Sequence, residues 1–225
     1  VLCGVGGVEP QTETVWRQAD RYQVPRIAFV NKLDRLGADF YRVLKMMREK
    51  FYQIPLPVQL PLGTEDGFKG VIDLVTPAAY IWHEEDQGLT YETLPVPDEY
   101  QEMVNRHRNE MLDILTTFDE NLLTKYLSAE EIAPSDIKSA IRNGTLQLKI
   151  VPVFCGAAFR NKGIQKLLDG IIDYLPSPLD IPPAKGINPA TNKPETREPN
   201  PDAPFSALIF KLAFDPQRGM LSYIR

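Results

Sequence analysis

The sequence has few cysteines and histidines and no long apolar run. Cys3 and Cys155 are its only cysteines and lie far apart, which favours free thiols in a reducing compartment over a disulfide framework. The only histidines, His83 and His107, form no familiar ligand spacing with these cysteines, so we predict no metal site. No stretch approaches the roughly 18 apolar residues that span a bilayer. The sequence therefore argues against a disulfide-stapled, a zinc-stabilised and a membrane-spanning protein.

The amino terminus reads VLCGVGG and carries neither the charged segment nor the cleavage site of a secretory signal. We therefore expect a cytoplasmic protein, with an organelle matrix as the alternative. Because the sequence has no initiator methionine, we interpret it as a piece of a longer chain.

Negative charge exceeds positive charge and is unevenly distributed. The net charge of −5 disfavours autonomous nucleic-acid binding through a broad basic surface. Residues 84–136 include 14 acidic residues and three basic ones, so this stretch should repel nucleic acid. Two interpretations stay open for it: a solvated face that keeps the protein soluble, or a docking surface for a partner protein.

In two separate regions of the first 180 residues, one near each end, a strand pattern is followed by a helix pattern. The apolar run Ile27 to Val30 predicts a parallel strand buried on both faces, and a helical stripe over residues 40–51 follows it. The segment LKIVPVFC restores the buried-strand pattern. The helix after it should turn six apolar residues inward, namely Ile164, Leu167, Leu168, Ile171, Ile172 and Leu175. We therefore predict an α/β fold built on a parallel sheet.

The stretch between these two regions has a different character. From residue 55 it is rich in proline, glycine and short β-prone runs, which predicts several short strands. Helical patterns follow over residues 97–115, Glu120 to Leu127 and Ser135 to Asn143. This order predicts an α+β subdomain over residues 55–145, inserted into a sheet domain that comprises residues 1–54 and 146–180.

The carboxyl-terminal part combines a linker-like composition with a β-pattern. Residues 176–204 carry nine of the 20 prolines, and we predict an extended linker over 181–203. Apolar and polar residues then alternate on both sides of a turn at Asp215 to Gly219, which predicts a β-hairpin. Since two strands alone are marginally stable, we interpret residues 204–225 as the start of a β-domain.

Three polar residues, Asn31, Lys32 and Asp34, directly follow the first buried strand in the sequence AFVNKLDRL. Open α/β sheets place their ligands at the carboxyl ends of their strands, and these side chains suit a planar base. A carboxylate such as Asp34 can accept two parallel hydrogen bonds from the ring imino and exocyclic amino donors of guanine, a donor pair that adenine lacks. Asn31 can reach the imidazole-side acceptor of the base, and Lys32 can cover the ring face. The competing interpretation is a turn in which Asp34 caps the next helix.

A second strand end supports the base interpretation. The run VPVFCGAAF ends another buried strand, whose loop we expect at the same edge of the sheet. There the backbone N–H groups of Ala157 and Ala158 can donate to the guanine carbonyl oxygen. A buried acceptor left unpaired by the wrong base costs about 1 to 3 kcal/mol, so the two loops together predict a guanine-selective pocket.

Four segments strongly resemble the elongation factor G family of translational GTPases. They are GVEPQTETVWRQADRYQVPRIAFVNKLDR, FKGVIDLV, FCGAAFRNKGIQKLLDGIIDYLPSP and the closing hairpin, and the similarity runs over essentially the whole chain. The resemblance implies the carboxyl-terminal part of a P-loop GTPase-type parallel-sheet domain with an inserted α+β subdomain, followed by the first strands of a β-barrel domain. It implies a guanine-specificity motif at Asn31, Lys32 and Asp34, and a second base-contacting loop at Ala157, Ala158 and Phe159.

The resemblance also implies an activity, ligands and partners. The longer protein would couple GTP hydrolysis to the movement of messenger and transfer RNA on the ribosome. These residues would hold only the guanine moiety of GTP or GDP, and the inserted subdomain would meet the acidic stalk protein of the ribosome. Mg²⁺ is implied for the longer protein, and no ligand for it is predicted here. Family members usually carry Ser where this chain has Ala157, and because that hydroxyl helps to orient the aspartate, we expect a modest loss of affinity.

Two other functions compete with this one. The first is a protein-interaction module that works through the acidic helical insertion and binds no nucleotide. The second is a hydrolase with Cys155 as its nucleophile, which is disfavoured because neither histidine stands in a motif that would pair with it.

We expect these 225 residues alone not to hydrolyse GTP. Phosphoryl transfer needs a phosphate-binding loop, Mg²⁺ and a positioned water, and the sequence contains no G-x-x-x-x-G-K-[ST] motif. The glycine-rich stretch from Gly4 to Gly7 lacks the lysine and the hydroxyl. A phosphate-release assay on the purified chain should show no turnover above the uncatalysed rate. Turnover at an enzyme-like rate of about 1 per second would contradict this expectation.

Overall fold

A computed structural model describes residues 1–83 and 85–224 of the chain. The chain divides into two compact units, residues 1–175 and 176–225. The first unit contains every residue that the sequence predicts to contact a base. No helix in the described part of the chain is long and apolar enough to cross a membrane.

The amino-terminal part of the first unit alternates strands with helices. Its elements are β1 (Leu2–Cys3), α1 (Pro10–Arg21), β2 (Ala28–Asn31), α2 (Phe40–Lys50) and β3 (Ile54–Pro57). Pro10 occupies the first turn of α1, where a backbone N–H would have no helical partner. Asp39 caps α2, since its side chain accepts from the Arg42 N–H at 2.9 Å. The helix then buries one apolar face, which consists of Phe40, Val43, Leu44 and Met47.

The middle of the first unit forms a second sheet and three helices. Its elements are β4 (Gln59–Leu62), β5 (Gly70–Asp73), β6 (Ala78–Trp82), β7 (Tyr91–Leu94), α3 (Asp98–Thr116), α4 (Glu120–Leu127) and α5 (Pro134–Leu146). The strands pair antiparallel in the order β4-β5-β6-β7. Short connections allow this order, such as the turn in which Asp73 accepts from the N–H groups of Val75 and Thr76.

The parallel sheet is completed by the last strand and helix of the first unit, β8 (Ile150–Cys155) and α6 (Ile164–Tyr174). The strand order is β1-β2-β8-β3, and all three pairings are parallel. All six residues of β8 are buried, as expected for a continuous apolar strand inside a parallel sheet. The strand therefore lies at the centre of the core, next to β2.

The helix α6 packs only one side of its predicted apolar stripe against the core. Ile164 and Leu167 are partly buried there, as predicted. Leu168, Ile171 and Ile172 are 54%, 41% and 78% exposed, so the expectation that they face the core is wrong. The buried residues of the helix are Gly170 and Tyr174. The close approach of the helix to the ring of Phe154 at Gly170 displaces its inner face from the centre of the apolar stripe.

The second unit contains two antiparallel hairpins. Its strands are β9 (Ala184–Ile187), β10 (Pro194–Arg197), β11 (Ile209–Asp215) and β12 (Gly219–Ile224). The stretch predicted as an extended linker over 181–203 therefore includes the hairpin β9–β10. Asn188 makes its turn by accepting from the N–H groups of Ala190 and Thr191. The predicted closing hairpin is confirmed as β11–β12.

Replacing Gly170 with Ala should destabilise the first unit, although alanine has the higher helix propensity. A Cβ at this position would lie 2.1 Å from Cζ of Phe154, a ring that is 4% exposed. Overpacking of this kind costs about 1 to 3 kcal/mol, which offsets or exceeds the gain of about 1 kcal/mol from removing a helical glycine. Urea unfolding followed by circular dichroism measures the difference.

The control for this variant is Gly67→Ala, because a Cβ at Gly67 would meet nothing within 4 Å. We expect the free energy of unfolding of this control to stay within about 0.5 kcal/mol of the wild-type value. Equal stability of the Gly170→Ala and Gly67→Ala variants would contradict the packing argument.

Candidate nucleotide-base site

The carboxyl ends of β2 and β8 lie side by side. Val30 stands opposite Cys155 in the parallel pairing, so the loops that follow leave from one edge of the sheet. Beyond the strands, the Gly156 N–H donates to the Val30 carbonyl at 3.0 Å, and the Leu33 N–H donates to the Gly156 carbonyl at 3.2 Å. The structure thus brings the two predicted loops into direct contact.

Asn31 connects the two loops through its side-chain oxygen. This Oδ1 accepts from the Lys32 N–H at 2.7 Å and from the Ala158 N–H at 2.9 Å. The second bond joins residues that are 127 positions apart in the chain. Because both donors converge on the oxygen, the orientation of the amide is fixed, and its NH₂ group is the part that a ligand can meet.

The buried side chain of Leu33 sets the positions of its two polar neighbours. Leu33 is 3% exposed, whereas Lys32 is exposed and has a left-handed backbone with φ 65°. Such a conformation costs a non-glycine residue about 1 to 3 kcal/mol and needs support from its surroundings. The side chain of Asp34 is 14% exposed. The alternative in which Asp34 caps the next helix is wrong, because Asp39 holds that position.

The backbone donors predicted for a base carbonyl already have acceptors within the protein. The Ala157 N–H donates to the Lys162 carbonyl at 2.9 Å and closes its own loop. The Ala158 N–H donates to Asn31, so a base oxygen would share this donor or replace Asn31 as its acceptor. Ala158 is therefore open to a ligand at the cost of one hydrogen bond, whereas Ala157 is committed to the loop.

Two glycines let the second loop fold closely onto its strand. A Cβ at Gly156 would lie 2.4 Å from the Lys162 carbonyl oxygen and 2.8 Å from Cζ of Phe29. Gly163 has φ 90°, and a Cβ there would lie 2.6 Å from the Cys155 carbonyl oxygen. The sequence analysis assigned no role to these glycines. The signal that could have revealed their role is their position on either side of the loop.

Phe159 projects from the second loop and is 100% exposed. A pocket of about 400 Å³ adjoins it, lined by His83, Gln87, Gly88, Phe159, Arg160, Asn161 and Lys162. A large aromatic face in solvent suits stacking on a planar ligand. Phe159 is the one predicted base-contacting residue that lines this pocket, and Asn31, Lys32 and Asp34 lie outside its lining.

The middle region of the first unit also contacts the second loop and α6. Asn161 Nδ2 donates to the Gln87 carbonyl at 2.9 Å, and Gln165 Nε2 donates to the Gly88 carbonyl at 3.0 Å. The ammonium group of Lys162, which is 5% exposed, donates to the Phe68 carbonyl at 3.1 Å. The conformation of this loop thus rests on a second element in addition to the parallel sheet.

Arg160 is a member of the site that sequence reasoning missed. Its Nε lies 3.3 Å from Oδ2 of Asp34. The sequence signal for this residue was its positive charge, opposite to that of Asp34, at the position directly after the predicted base-contacting residues of the second loop. Charge alone does not identify the pair, because the contact depends on the path of both loops.

The sequence also led to predictions about the cysteine thiols and about metal binding. Cys3 and Cys155 are both free, as predicted. Cys155 is 0% exposed, and burial raises the pKa of its thiol far above the usual range, so it forms no thiolate nucleophile at neutral pH. Within residues 1–83 and 85–224, no group of three or more His, Cys, Asp or Glu side chains could hold a metal ion.

Known proteins resemble this chain in sequence and in structure. Residues 1–177 match the family model of the elongation factor Tu GTP binding domain. The chain is 48% identical over 226 residues to elongation factor G of Amoebophilus asiaticus (strain 5a2), a match that covers 100% of this chain and 32% of that protein. The chain thus spans about a third of the length of this curated relative.

A protein of Thermus thermophilus with a known crystal structure has the same fold. It matches with a TM-score of 0.79 and 30% identity, over 100% of this chain and 30% of that one. The predicted fold class is confirmed: a GTPase-type α/β domain with a parallel sheet, an additional antiparallel sheet with helices, and further β-strands. The chain therefore belongs to the family of the elongation factor Tu GTP binding domain, and it resembles elongation factor G over its full length.

Proposed function

We propose that the chain recognises the guanine base of GTP and GDP at the edge where β2 and β8 end. The main support is the hydrogen bond of 2.9 Å from the Ala158 N–H to Asn31 Oδ1, which joins the two loops at that edge. The family assignment supports guanine nucleotide as the ligand, because the matching domain is named for GTP binding.

Each predicted site residue has one role in this proposal. The carboxylate of Asp34 accepts from the imino and amino groups of guanine, and the NH₂ of Asn31 donates to the imidazole-side nitrogen. The Ala158 N–H, which donates to Asn31 Oδ1, is shared with the guanine carbonyl oxygen. Lys32 and Phe159 cover the ring faces, while Ala157, which is 1% exposed, shapes the loop beneath them.

We infer the activity of the longer protein from the same relatives. It hydrolyses GTP with Mg²⁺ and drives the movement of transfer and messenger RNA on the ribosome, in the cytoplasm or in an organelle matrix. In this proposal, residues 1–54 and 146–180 belong to the GTPase domain and residues 55–145 form its inserted subdomain. Residues 181–203, which include the hairpin β9–β10, connect this domain to the β-barrel that begins at 204.

We further propose that the inserted subdomain docks onto the ribosome, including its stalk protein. Its helix α4 exposes three apolar side chains, because Leu123, Tyr126 and Leu127 are 37%, 38% and 75% exposed. An acidic partner would be repelled by the acidic charge of residues 84–136, so these apolar groups carry the contact. The same surface supports the second candidate function, a protein-interaction module that binds no nucleotide.

Asp34→Asn should reverse the base preference of the chain. An amide presents one acceptor and one donor, which complement the N1–H and the C2 carbonyl of xanthine instead of the two donors of guanine. Titration of the isotope-labelled chain with millimolar GDP should shift the amide signals around Asn31, Asp34 and Ala158. In the variant, xanthosine diphosphate should cause these shifts, and GDP should bind at least about tenfold more weakly than it binds wild type.

Adenosine diphosphate is the control ligand in this titration, because it carries the same diphosphate and lacks the donor pair of guanine. If GDP left the wild-type signals unchanged at millimolar concentration, guanine recognition would be refuted. The interaction module without nucleotide would then be the better description.

Leu127→Asp should weaken ribosome binding by the chain, because it places a charge in the exposed apolar group of α4. Co-sedimentation with purified ribosomes measures the bound fraction. Leu89→Asp is the matched control, since Leu89 is 74% exposed and lies elsewhere in the inserted region. Equal losses in both variants, or none in either, would argue against docking through α4.

A further inference from the structure

We propose that Arg160 positions the carboxylate of Asp34 for base recognition. This inference rests on the proposed function, and it adds a residue that determines specificity. Arg160 is a positioning residue in this account, since it acts on the base through Asp34.

The first observation is the contact between the two side chains. Nε of Arg160 lies 3.3 Å from Oδ2 of Asp34. The Asp34 side chain is 14% exposed and that of Arg160 is 40% exposed, so the carboxylate is largely enclosed while the guanidinium reaches it from the solvent side. A pair with one enclosed member is screened less by water than a fully exposed pair.

The second observation is that the backbone carrying Arg160 is fixed. The Arg160 N–H donates to the Ala157 carbonyl at 3.0 Å, and Asn161 closes the turn with a left-handed φ of 54°. Gly88 packs against the same turn so closely that a Cβ there would lie 2.4 Å from the Arg160 carbonyl oxygen. Arg160 therefore starts from a defined position, unlike the long side chains of most surface ion pairs.

The third observation concerns the torsional freedom of the Asp34 side chain. The terminal torsion of an aspartate is broad and roughly two-fold, so a carboxylate without a partner does not keep one plane. Arg160 supplies that partner.

The ion pair leaves room for a base. An ionised carboxylate has about four lone-pair directions. The contact of Arg160 Nε with Oδ2 does not fill them, so in this proposal the imino and amino donors of guanine use the others. The pair therefore orients Asp34 without blocking it.

The test compares GDP with inosine diphosphate, which lacks the exocyclic amino group. Both ligands carry the same diphosphate. Removing the charge of Arg160 would therefore weaken any phosphate interaction equally for both and would leave their affinity ratio unchanged. Wild type should bind GDP about tenfold more tightly than inosine diphosphate, because one additional bond reaches Asp34. In Arg160→Ala this ratio should fall several-fold towards one, as measured by the same amide titration of the full chain.

One further variant makes the result specific. Arg160→Lys should give an intermediate ratio, because it keeps the charge but loses the planar donor.

The outcomes separate this inference from the proposed function. If wild type binds GDP but Arg160→Ala keeps the wild-type ratio, the role of Arg160 is refuted and guanine recognition stands. Equal losses of affinity for GDP and inosine diphosphate in Arg160→Ala would likewise refute this role. Such losses would not come from a change in the orientation of the Asp34 carboxylate. If wild type binds neither ligand, the proposed function fails, and this inference fails with it.

Discussion

The candidate site depends on the parallel pairing of β2 with β8. Parallel strands end at the same edge of a sheet, and the pairing of Val30 with Cys155 makes these two strands end level with each other. Only this arrangement lets Gly156 donate to Val30 and Ala158 donate to Asn31. A shift by one residue would turn each side chain of β2 to the other face of the sheet and would separate Asn31 from the second loop.

The region between β3 and β8 separates β2 from β8 in sequence but holds their loops in space. The entropic cost of closing a long connection grows only slowly with its length, and contacts made by this region offset part of it. Trp82 Nε1 donates to Gln165 Oε1 at 3.1 Å, and Nζ of Lys166 lies 4.1 Å from the ring centre of Tyr80. These contacts join the antiparallel sheet to α6, and the bond from Lys162 to Phe68 joins it to the loop itself. The geometry of the second loop is therefore a property of both regions.

Sequence patterns predicted the elements better than they predicted the contacts. The strand before Asn31, the strand before Gly156 and the helix Glu120–Leu127 were predictable, because periodic burial and local composition determine them. The inner face of α6 was not predictable. Leu168 and Ile172 are as apolar as core residues, and the close approach of Gly170 to the ring of Phe154 decides the orientation of the helix. The linker pattern likewise gave no sign of the hairpin β9–β10, because the turn at Asn188 depends on a local side-chain bond.

The site residues show the same division between pattern and contact. The sequence predicted Asn31, Lys32 and Asp34 as base-contacting residues, because within one short stretch their side chains suit the recognition of a guanine base. The engagement of the Ala158 N–H by Asn31 and the pairing of Arg160 with Asp34 were not predictable, since each joins residues of different loops. Asn31 is held by neutral hydrogen bonds, which salt affects little, whereas Asp34 is held by an ion pair at 3.3 Å, which depends on charge and its screening. In the proposed site, the two sides of the base would therefore be recognised by groups whose positions rest on different physical forces.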